Sequence, residues 1–324
     1  MQCALAIDLG GTELRAAVVN RNGQLIACAA EPTDARSGPD AVVAQILSLV
    51  HQVRDEAGPC SLLGLGIGSA GPLDPLTGTV IAPPTLHGWH DVPLASVLRQ
   101  KLAMPVLLEN DANAAALGEW RFGAGRGTQS MAFITVSTGI GGGIIADGKL
   151  LHGRRGLAAE IGHMTIASDS REACACGARG CWEAMASGTA LSRDATRLAA
   201  SGEARFLKEL AGSGPVTGHH VAEAARQGDK AALSLLANEA RWLGIGLVNL
   251  LHLYSPERLI IGGGVGSLLE LMRADIERVI EERAMSAYRG VPVIAAELGR
   301  NAGLIGAASM IFNGQHKPEL ETMH

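Results

Sequence analysis

Apolar positions near the start of the chain fall into short runs of strand length. Residues 3–7, Leu14 to Val19 and Leu25 to Ala29 are three such runs. The last two flank Asn22-Gly23, a dipeptide suited to the tight turn of a hairpin. Between Asp40 and Glu56 the period changes, with apolar residues at 42, 43, 46, 47, 50 and 53, which predicts one buried face of a helix. Leu62 to Ile67 and Val106 to Glu109 are again strands, and Asp111 to Phe122 is an Ala-rich helix. Residues 71–93 are rich in Pro and Gly and predict a long loop, a feature that is usually functional inside a compact fold.

The N-terminal pattern then returns. Met131 to Val136 is a strand that runs into Ser137-Thr138-Gly139-Ile140-Gly141-Gly142-Gly143, followed by a strand at 144–146, a turn at Asp147-Gly148 and a strand at Lys149 to Leu151. Strand, Gly-rich turn, strand, tight turn, strand is the order of both copies, which suggests a duplicated architecture. Helices dominate from 187, with strands at Arg258 to Ile261 and Val291 to Ala296 and a last helix at Gly303 to Phe312. The polar tail after Gly314 is expected to fray. Alternating strands and helices predict an α/β protein with mixed sheets. A length of 324 residues exceeds what one core usually serves, so two domains with a cleft between them are expected.

Composition narrows the classes. Apolar residues are 47% and charged residues 18%, enough for a packed core and unlike a disordered chain. The net charge of −5, without a basic stripe, argues against nucleic acid as a partner. The N-terminal apolar run is too short for a signal peptide, and Leu243 to Tyr254 is too short to span a bilayer. No membrane association and a cytoplasmic location are therefore expected. Of six cysteines, Cys174, Cys176 and Cys181 are crowded together while the others are scattered.

Three constellations carry candidate chemistry. The turns Asp8-Leu9-Gly10-Gly11-Thr12 and Thr138-Gly139-Ile140-Gly141-Gly142-Gly143 lack side chains where backbone N–H groups could cradle a polyphosphate, and Asp8 could hold Mg²⁺. Such turns can equally be plain hairpins. Neither a Gly-Lys-Ser/Thr phosphate loop nor a convincing dinucleotide fingerprint is present, the latter despite Gly262-Gly263-Gly264-Val265-Gly266. Asn110-Asp111 joins a strand to a helix, so Asp111 is either a helix cap, a base for a hydroxyl proton, or both. Cys174-x-Cys176-x4-Cys181 with His163 eleven positions upstream suits a closed, structural zinc site, against the alternative of three reduced thiols. Glu160 and Glu183 flank that set; taken singly, each is an ordinary surface charge.

Together these pieces resemble the ROK group (repressors, open reading frames of unknown role, and kinases). Asp8-Leu9-Gly10-Gly11-Thr12, Glu109-Asn110-Asp111-Ala112-Asn113, Ser137 to Gly143, Glu160-Ile161-Gly162-His163, Cys174 to Glu183 and Gly262-Gly263-Gly264 occur in the family order over nearly the whole chain. The resemblance implies a two-domain actin-like ATPase fold, ribonuclease H-like, of the sugar kinase type with an interdomain cleft. It implies one domain from residues 1–112 plus 305–324 and another from 113–304. It implies ATP, Mg²⁺ and structural Zn²⁺, a hexose or N-acylhexosamine substrate, and a homodimer.

Residue by residue, the resemblance makes Asp111 the general base and Gly71, Asn110, Glu160, His163 and Glu183 sugar contacts. Gly10, Gly11, Thr12, Thr138, Gly139, Gly141 and Gly142 become phosphate contacts, beside Asp8, while Gly263 and Gly264 approach the nucleoside. His163, Cys174, Cys176 and Cys181 become metal ligands, His163 turning its second ring nitrogen to the sugar. Glu13 stands where many relatives carry Lys, and a carboxylate there is expected to point away from phosphate. The implied reaction is ATP-dependent phosphorylation of a hexose hydroxyl. Glucose is favoured by Ser69-Ala70-Gly71-Pro72 and Gly88 to Leu94, and N-acetylmannosamine is the alternative. A non-catalytic sugar sensor is the rival from another class, disfavoured by Asp111 and the two phosphate turns. A repressor would need a helix-turn-helix before Asp8, for which the sequence leaves no room.

Overall fold

The structure, a computed structural model, describes residues 1–313. The tail expected to fray after Gly314, and the end of the segment assigned to 305–324, lie outside them. The chain opens with antiparallel strands β1 (Gln2–Leu9), β2 (Glu13–Asn20) and β3 (Leu25–Pro32), followed by helix α1 (Pro39–Ala57). β4 (Ser61–Ser69) pairs parallel to β1. A short hairpin, β5 (Leu73–Asp74) and β6 (Thr79–Val80), and helix α2 (Leu94–Leu102) lead to β7 (Val106–Asn110), parallel to β4. The first sheet thus has the order β3-β2-β1-β4-β7.

Helix α3 (Asp111–Phe122) crosses to the second sheet. There β8 (Met131–Val136), β9 (Ile140–Ala146) and β10 (Lys149–Leu150) run antiparallel. A helical stretch follows: α4 (Trp182–Met185), α5 (Gly188–Ser201), α6 (Arg205–Ala211), α7 (Gly218–Arg226) and α8 (Lys230–Tyr254). β11 (Arg258–Gly262), α9 (Gly263–Gly266), α10 (Leu269–Arg283), β12 (Val293–Ala295) and α11 (Ala302–Asn313) complete the fold. β11 is parallel to both β8 and β12, giving the order β10-β9-β8-β11-β12. The second sheet repeats the first strand for strand, as the recurring sequence pattern predicts. Both are mixed sheets, three antiparallel strands followed by two parallel ones, in keeping with an actin-like ATPase fold.

The apolar runs fall where burial requires them. β2 is buried on both faces along nearly its whole length, whereas the edge strand β3 alternates. Three differences from the sequence expectation have physical causes. β9 begins at Ile140, inside the Gly run, and not at 144. A Cβ at Gly143 would press on Ala116 and Asn113 of α3, so the glycines serve strand-on-helix contact there. α2 is a helix that the sequence reading did not assign, although its Leu94, Ala95 and Leu98 fall on one helical face, which the fold buries. The 71–93 loop carries the small β5–β6 hairpin and a bridge from Val80 to Val92.

α1 covers the outer face of the first sheet with Val42, Val43, Ile46, Val50 and Val53. α8 and α10 cover the outer face of the second. Between the sheets lie α3 and α11, whose Ala116, Leu117, Leu304, Ala307 and Ala308 share one core with Ala4 and Ala6 of β1 and Met131 and Phe133 of β8. The two helices meet backbone to backbone. A Cβ at Gly306 would overlap the Ala114 carbonyl, and one at Gly118 the Ala302 carbonyl. Likewise, a Cβ at Gly66 of β4 would overlap the Ala307 carbonyl.

This crossing leaves no room for a methyl group. Gly306→Ala should lower the unfolding free energy by about 2 kcal/mol or more. Gly214→Ala, where an added Cβ meets only ordinary contact at 3.5 Å from the Ala211 carbonyl, should change it little. Urea unfolding of the two variants checks this; equal stabilities would mean that the α3–α11 crossing can open without cost.

Candidate active site

The chain segments that end the parallel-paired strands supply most of the candidate groups. Asp8 ends β1, Gly71 follows β4, and Asn110-Asp111 joins β7 to α3. Ser137-Thr138-Gly139 follows β8, and Gly263-Gly264 follows β11. The carboxyl ends of strands in open α/β sheets are where ligands usually enter.

Asn110, not Asp111, caps α3. Its Oδ1 accepts the Ala112 and Asn113 amides at 3.0 and 3.2 Å. Asp111 is the first helical residue, and its Oδ1 accepts the Ala112 amide at 2.8 Å. The capping role that the sequence left open for Asp111 therefore belongs to its neighbour. The Asn110 side-chain nitrogen is left facing Gly71, where an added Cβ would lie 3.5 Å from it.

The Asp111 carboxylate is open to solvent, yet protein crowds around it. Desolvation is the main cause that pushes its pKa up to about 6; the Ala112 amide opposes the rise, and the charges of Asp8 and Glu160 add to it. Asp8 is also raised, by desolvation first, with Arg15 acting against it.

Around the first Gly turn, Gly10 N donates to Glu13 O at 3.1 Å and Thr33 Oγ1 donates to Gly10 O at 2.7 Å. Gly11 lies so close to Thr85 that any Cβ would collide with it. Thr12 is exposed. Glu13 turns toward two guanidinium groups. It shares a face with Arg15, whose Nε is 3.8 Å from its carboxylate, and Arg300 Nη2 binds it at 3.0 Å. Its charge is answered by two guanidinium groups.

The second turn is tighter than the sequence suggested. Ser137 N donates to Gly139 O at 2.9 Å, and the strand resumes at Ile140. Thr138 is exposed, while its carbonyl takes the Thr189 amide and hydroxyl at 3.3 and 2.8 Å. Gly141 and Gly142 lie within β9. A Cβ at Gly141 would lie 3.2 Å from Ala112 Cβ, and one at Gly142 would collide with Ile161. Their small size answers to packing, and Gly142 is buried. Gly263 has φ +86°, beside the Val136 backbone, and Gly264 has open space before it.

Glu183 ties the second turn to the cysteine cluster. Its Oε2 accepts the Ile140 amide at 3.0 Å and its Oε1 lies 3.7 Å from Cys174 Sγ. The ligand atoms of His163, Cys174, Cys176 and Cys181 all lie within 4.8 Å of one another. A tetrahedral zinc with ordinary bond lengths needs S···S edges of about 3.8 Å and N···S edges of about 3.5 Å. Cys176 and Cys181 Sγ are 3.8 Å apart, and His163 Nδ1 is 3.5 Å from Cys174 Sγ. The donor set fits the metal, with Nδ1 as the ligand nitrogen and Nε2 left over. Without a metal the Cys174 thiol stays protonated, burial being the main cause that pushes its pKa up to about 12; a bound Zn²⁺ would supply the charge that stabilises the thiolate. Gly177 and Gly180, at φ +90° and +68°, permit the loop.

The sequence reading missed the network around Glu109. This fully buried carboxylate accepts the Asn110 amide at 2.9 Å and Asn113 Nδ2 at 3.0 Å through Oε1. Its Oε2 is 2.7 Å from His152 Nε2. It also missed Arg15, buried, whose Nη1 is 3.8 Å from Asp8 and whose Nη2 donates to Asn301 Oδ1 at 2.7 Å. No local signal marks either, because the partners are far apart in sequence.

Comparison with known proteins gives a consistent set of likenesses. The ROK family pattern matches residues 4–313. Glucokinase of Streptomyces coelicolor is 39% identical over 316 residues, covering 96% of this chain and 98% of that protein. N-acetylmannosamine kinase of Yersinia pseudotuberculosis is 35% identical over 305 residues, covering 94% and 96%. The crystal structure of a ROK family glucokinase from Streptomyces griseus, in complex with glucose and AMPPNP, superposes with a TM-score of 0.81 at 38% identity, covering 95% of this chain and 98% of that one. Among the described residues no helix is long and apolar enough to cross a membrane.

The fit of the four ligands predicts a metal content. The purified chain should carry about one zinc per molecule, and Cys181→Ser should lose it. Elemental analysis decides; a zinc-free native chain with freely titrating thiols would mean that the cluster is not a metal site.

Proposed function

The chain belongs to the ROK family, and on that premise we propose that it transfers the γ-phosphoryl group of ATP to a hexose hydroxyl, with glucose and its 6-hydroxyl as the first choice. Phosphoryl transfer to a sugar is what its kinase relatives are named for. The observation that carries the proposal is Asp111: an accessible carboxylate with a pKa raised to about 6, where the ends of the two sheets converge. A group ionised at neutral pH yet basic enough to take a proton suits a general base.

In this reading Asp111 takes the proton from the attacking hydroxyl as it moves toward the γ-phosphorus. Asn110 Nδ2, the Gly71 backbone, Glu160 and Glu183 bind the neighbouring sugar hydroxyls. His163 faces the sugar through Nε2, held by Nδ1 on the metal. A zinc ion, when bound, fixes that ring and the loop that carries it. The backbone of Gly10, Gly11, Thr12, Thr138 and Gly139 cradles the phosphates of ATP, and Gly263 and Gly264 border the nucleoside. Asp8 holds Mg²⁺, which when bound offsets charge on the transferring group. Gly141 lets β9 approach α3, and Gly142 makes room for Ile161 beside the same turn. We assign the halves as 1–112 with the returning segment from 305 on, and 113–304.

N-acetylmannosamine is the second reading, favoured by the kinase of that sugar at 35% identity, close to the 39% of the glucokinase. Sugar choice rests on a few hydroxyl or acetamido contacts.

Two outcomes test the proposal. ADP release with MgATP across glucose, mannose, fructose, N-acetylglucosamine and N-acetylmannosamine should be strong on one sugar. Asp111→Ala should lower kcat by at least about 100-fold. Turnover that survives in the variant would remove Asp111 as the base. The second outcome is a pH profile. A base must be ionised, and protons reoccupy Asp111 as pH falls through about 6, so kcat/KM should decline with an acid limb near that value. A flat profile down to pH 4.5 would contradict the assignment.

A further inference from the structure

Glu109 and His152 lie outside every role given above, and their placement is unusual. Glu109 has no solvent exposure. A buried carboxylate is costly unless each oxygen is matched. Here both are. Oε1 takes the Asn110 amide and Asn113 Nδ2, the two groups that set the first turn of α3. Oε2 takes His152 Nε2 at 2.7 Å. The same carboxylate therefore holds the start of the helix that carries Asp111 and a residue of the second half of the chain.

His152 begins the loop that ends at Glu160. That loop turns sharply, with φ of +61°, +59°, +68° and +64° at Gly153, Arg155, Gly156 and Ala159. Two of these are non-Gly residues, a conformation that persists only where surrounding contacts impose it. The contacts are few. His152 O accepts the Ala158 amide at 3.0 Å, two residues before Glu160. Gly156 packs against Pro75, where no Cβ would fit. Glu160 O in turn accepts the His163 amide at 3.1 Å. His152 closes the loop through its backbone and fastens it to Glu109 through its ring. The hydrogen bond to Glu109 is the main cause that raises the His152 pKa, with the Leu150 backbone adding to it and burial opposing it.

We infer that His152 is a positioning residue, whose bond to Glu109 sets where Glu160 stands relative to Asp111 across the two halves of the site. The inference rests on reading Asp111 and Glu160 as the sugar site. It does not require His152 to touch the substrate. Binding and turnover both depend on that spacing, because small displacements of reacting groups cost heavily.

The test uses the full chain and the sugar that wild type turns over or binds. His152→Ala should lower kcat/KM by about 10- to 100-fold and weaken sugar binding by calorimetry, together with a lower thermal midpoint, since Glu109 Oε2 loses its partner. His152→Gln, whose amide N–H can still reach Glu109, should recover most of the loss. In a cycle with Glu160→Ala, the His152→Ala effect should nearly vanish, since a residue that acts through Glu160 has nothing left to position. Hydrogen exchange across 152–160 should speed up in His152→Ala without any ligand present. Full kcat/KM in His152→Ala, no rescue by Gln, or an undiminished effect in the Glu160→Ala background would each overturn the inference while leaving the kinase reading intact. Wild type that neither binds nor phosphorylates any sugar of the panel would overturn that reading, and unchanged exchange in His152→Ala would then show separately that the tie does not hold the loop.

Discussion

The contact on which the site depends is the crossing of α3 and α11 between the two sheets. Gly306 lies on the Ala114 backbone and Gly118 on that of Ala302, so the helices approach more closely than any side chain would allow. The entry of α11 thereby lies against the later half of α3, because Ala302 meets Gly118. Asp111 is the first residue of α3, and Gly303, in the first turn of α11, lies beside the Asp8 carboxylate, where an added Cβ would be 3.6 Å from Cγ. Asp8 and Asp111, about a hundred residues apart in sequence, act on each other through space, the charge of Asp8 adding to the rise of the Asp111 pKa.

Both ends of α3 are held by buried carboxylates. Glu109 grips the first turn. At the other end, Glu119 accepts the Ala124 and Glu297 amides at 2.9 and 3.1 Å through Oε2, and the Leu298 amide at 2.8 Å through Oε1. Each costs desolvation and is matched by several donors, so neither oxygen is left wanting. The reward is geometric. A helix fixed at both ends cannot slide or rotate, and Asp111 keeps its place.

The charge balance of the cleft follows the same logic. The charges of Asp8 and Glu160 add to desolvation in raising the pKa of Asp111. The opposing charges stand just behind them. Arg15 faces Asp8 and Glu13, Arg300 faces Glu13, and His152 faces Glu109. Glu13 is thus compatible with a phosphate site beside it, because its own charge is already partnered. The same arginine that answers Asp8 also binds the Arg300 carbonyl and the Asn301 side chain, joining the first sheet to the entry of α11.

Much of this was legible in the chain by itself. Period-2 and apolar runs located the main strands, the 3.6-residue period located α1, and the recurrence of strand, Gly turn and hairpin disclosed two sheets of equal order. Asp8, Asp111 and the Cys-His set could be named because their chemistry lies in residue type and local spacing, whereas Glu160 entered only through the family resemblance. Other features could not be read this way. That Asn110 and not Asp111 caps α3, that Gly141 and Gly142 sit in a strand and serve packing, and that Glu13 meets Arg300 all depend on groups distant in sequence. So does the pairing of Glu109 with His152. Local spacing determines which backbone shapes and donor sets a segment can offer. Which carboxylate is desolvated, and which charge stands opposite it, is decided only when the two sheets close on α3 and α11, because desolvation and Coulomb interaction depend on distance in space and not along the chain.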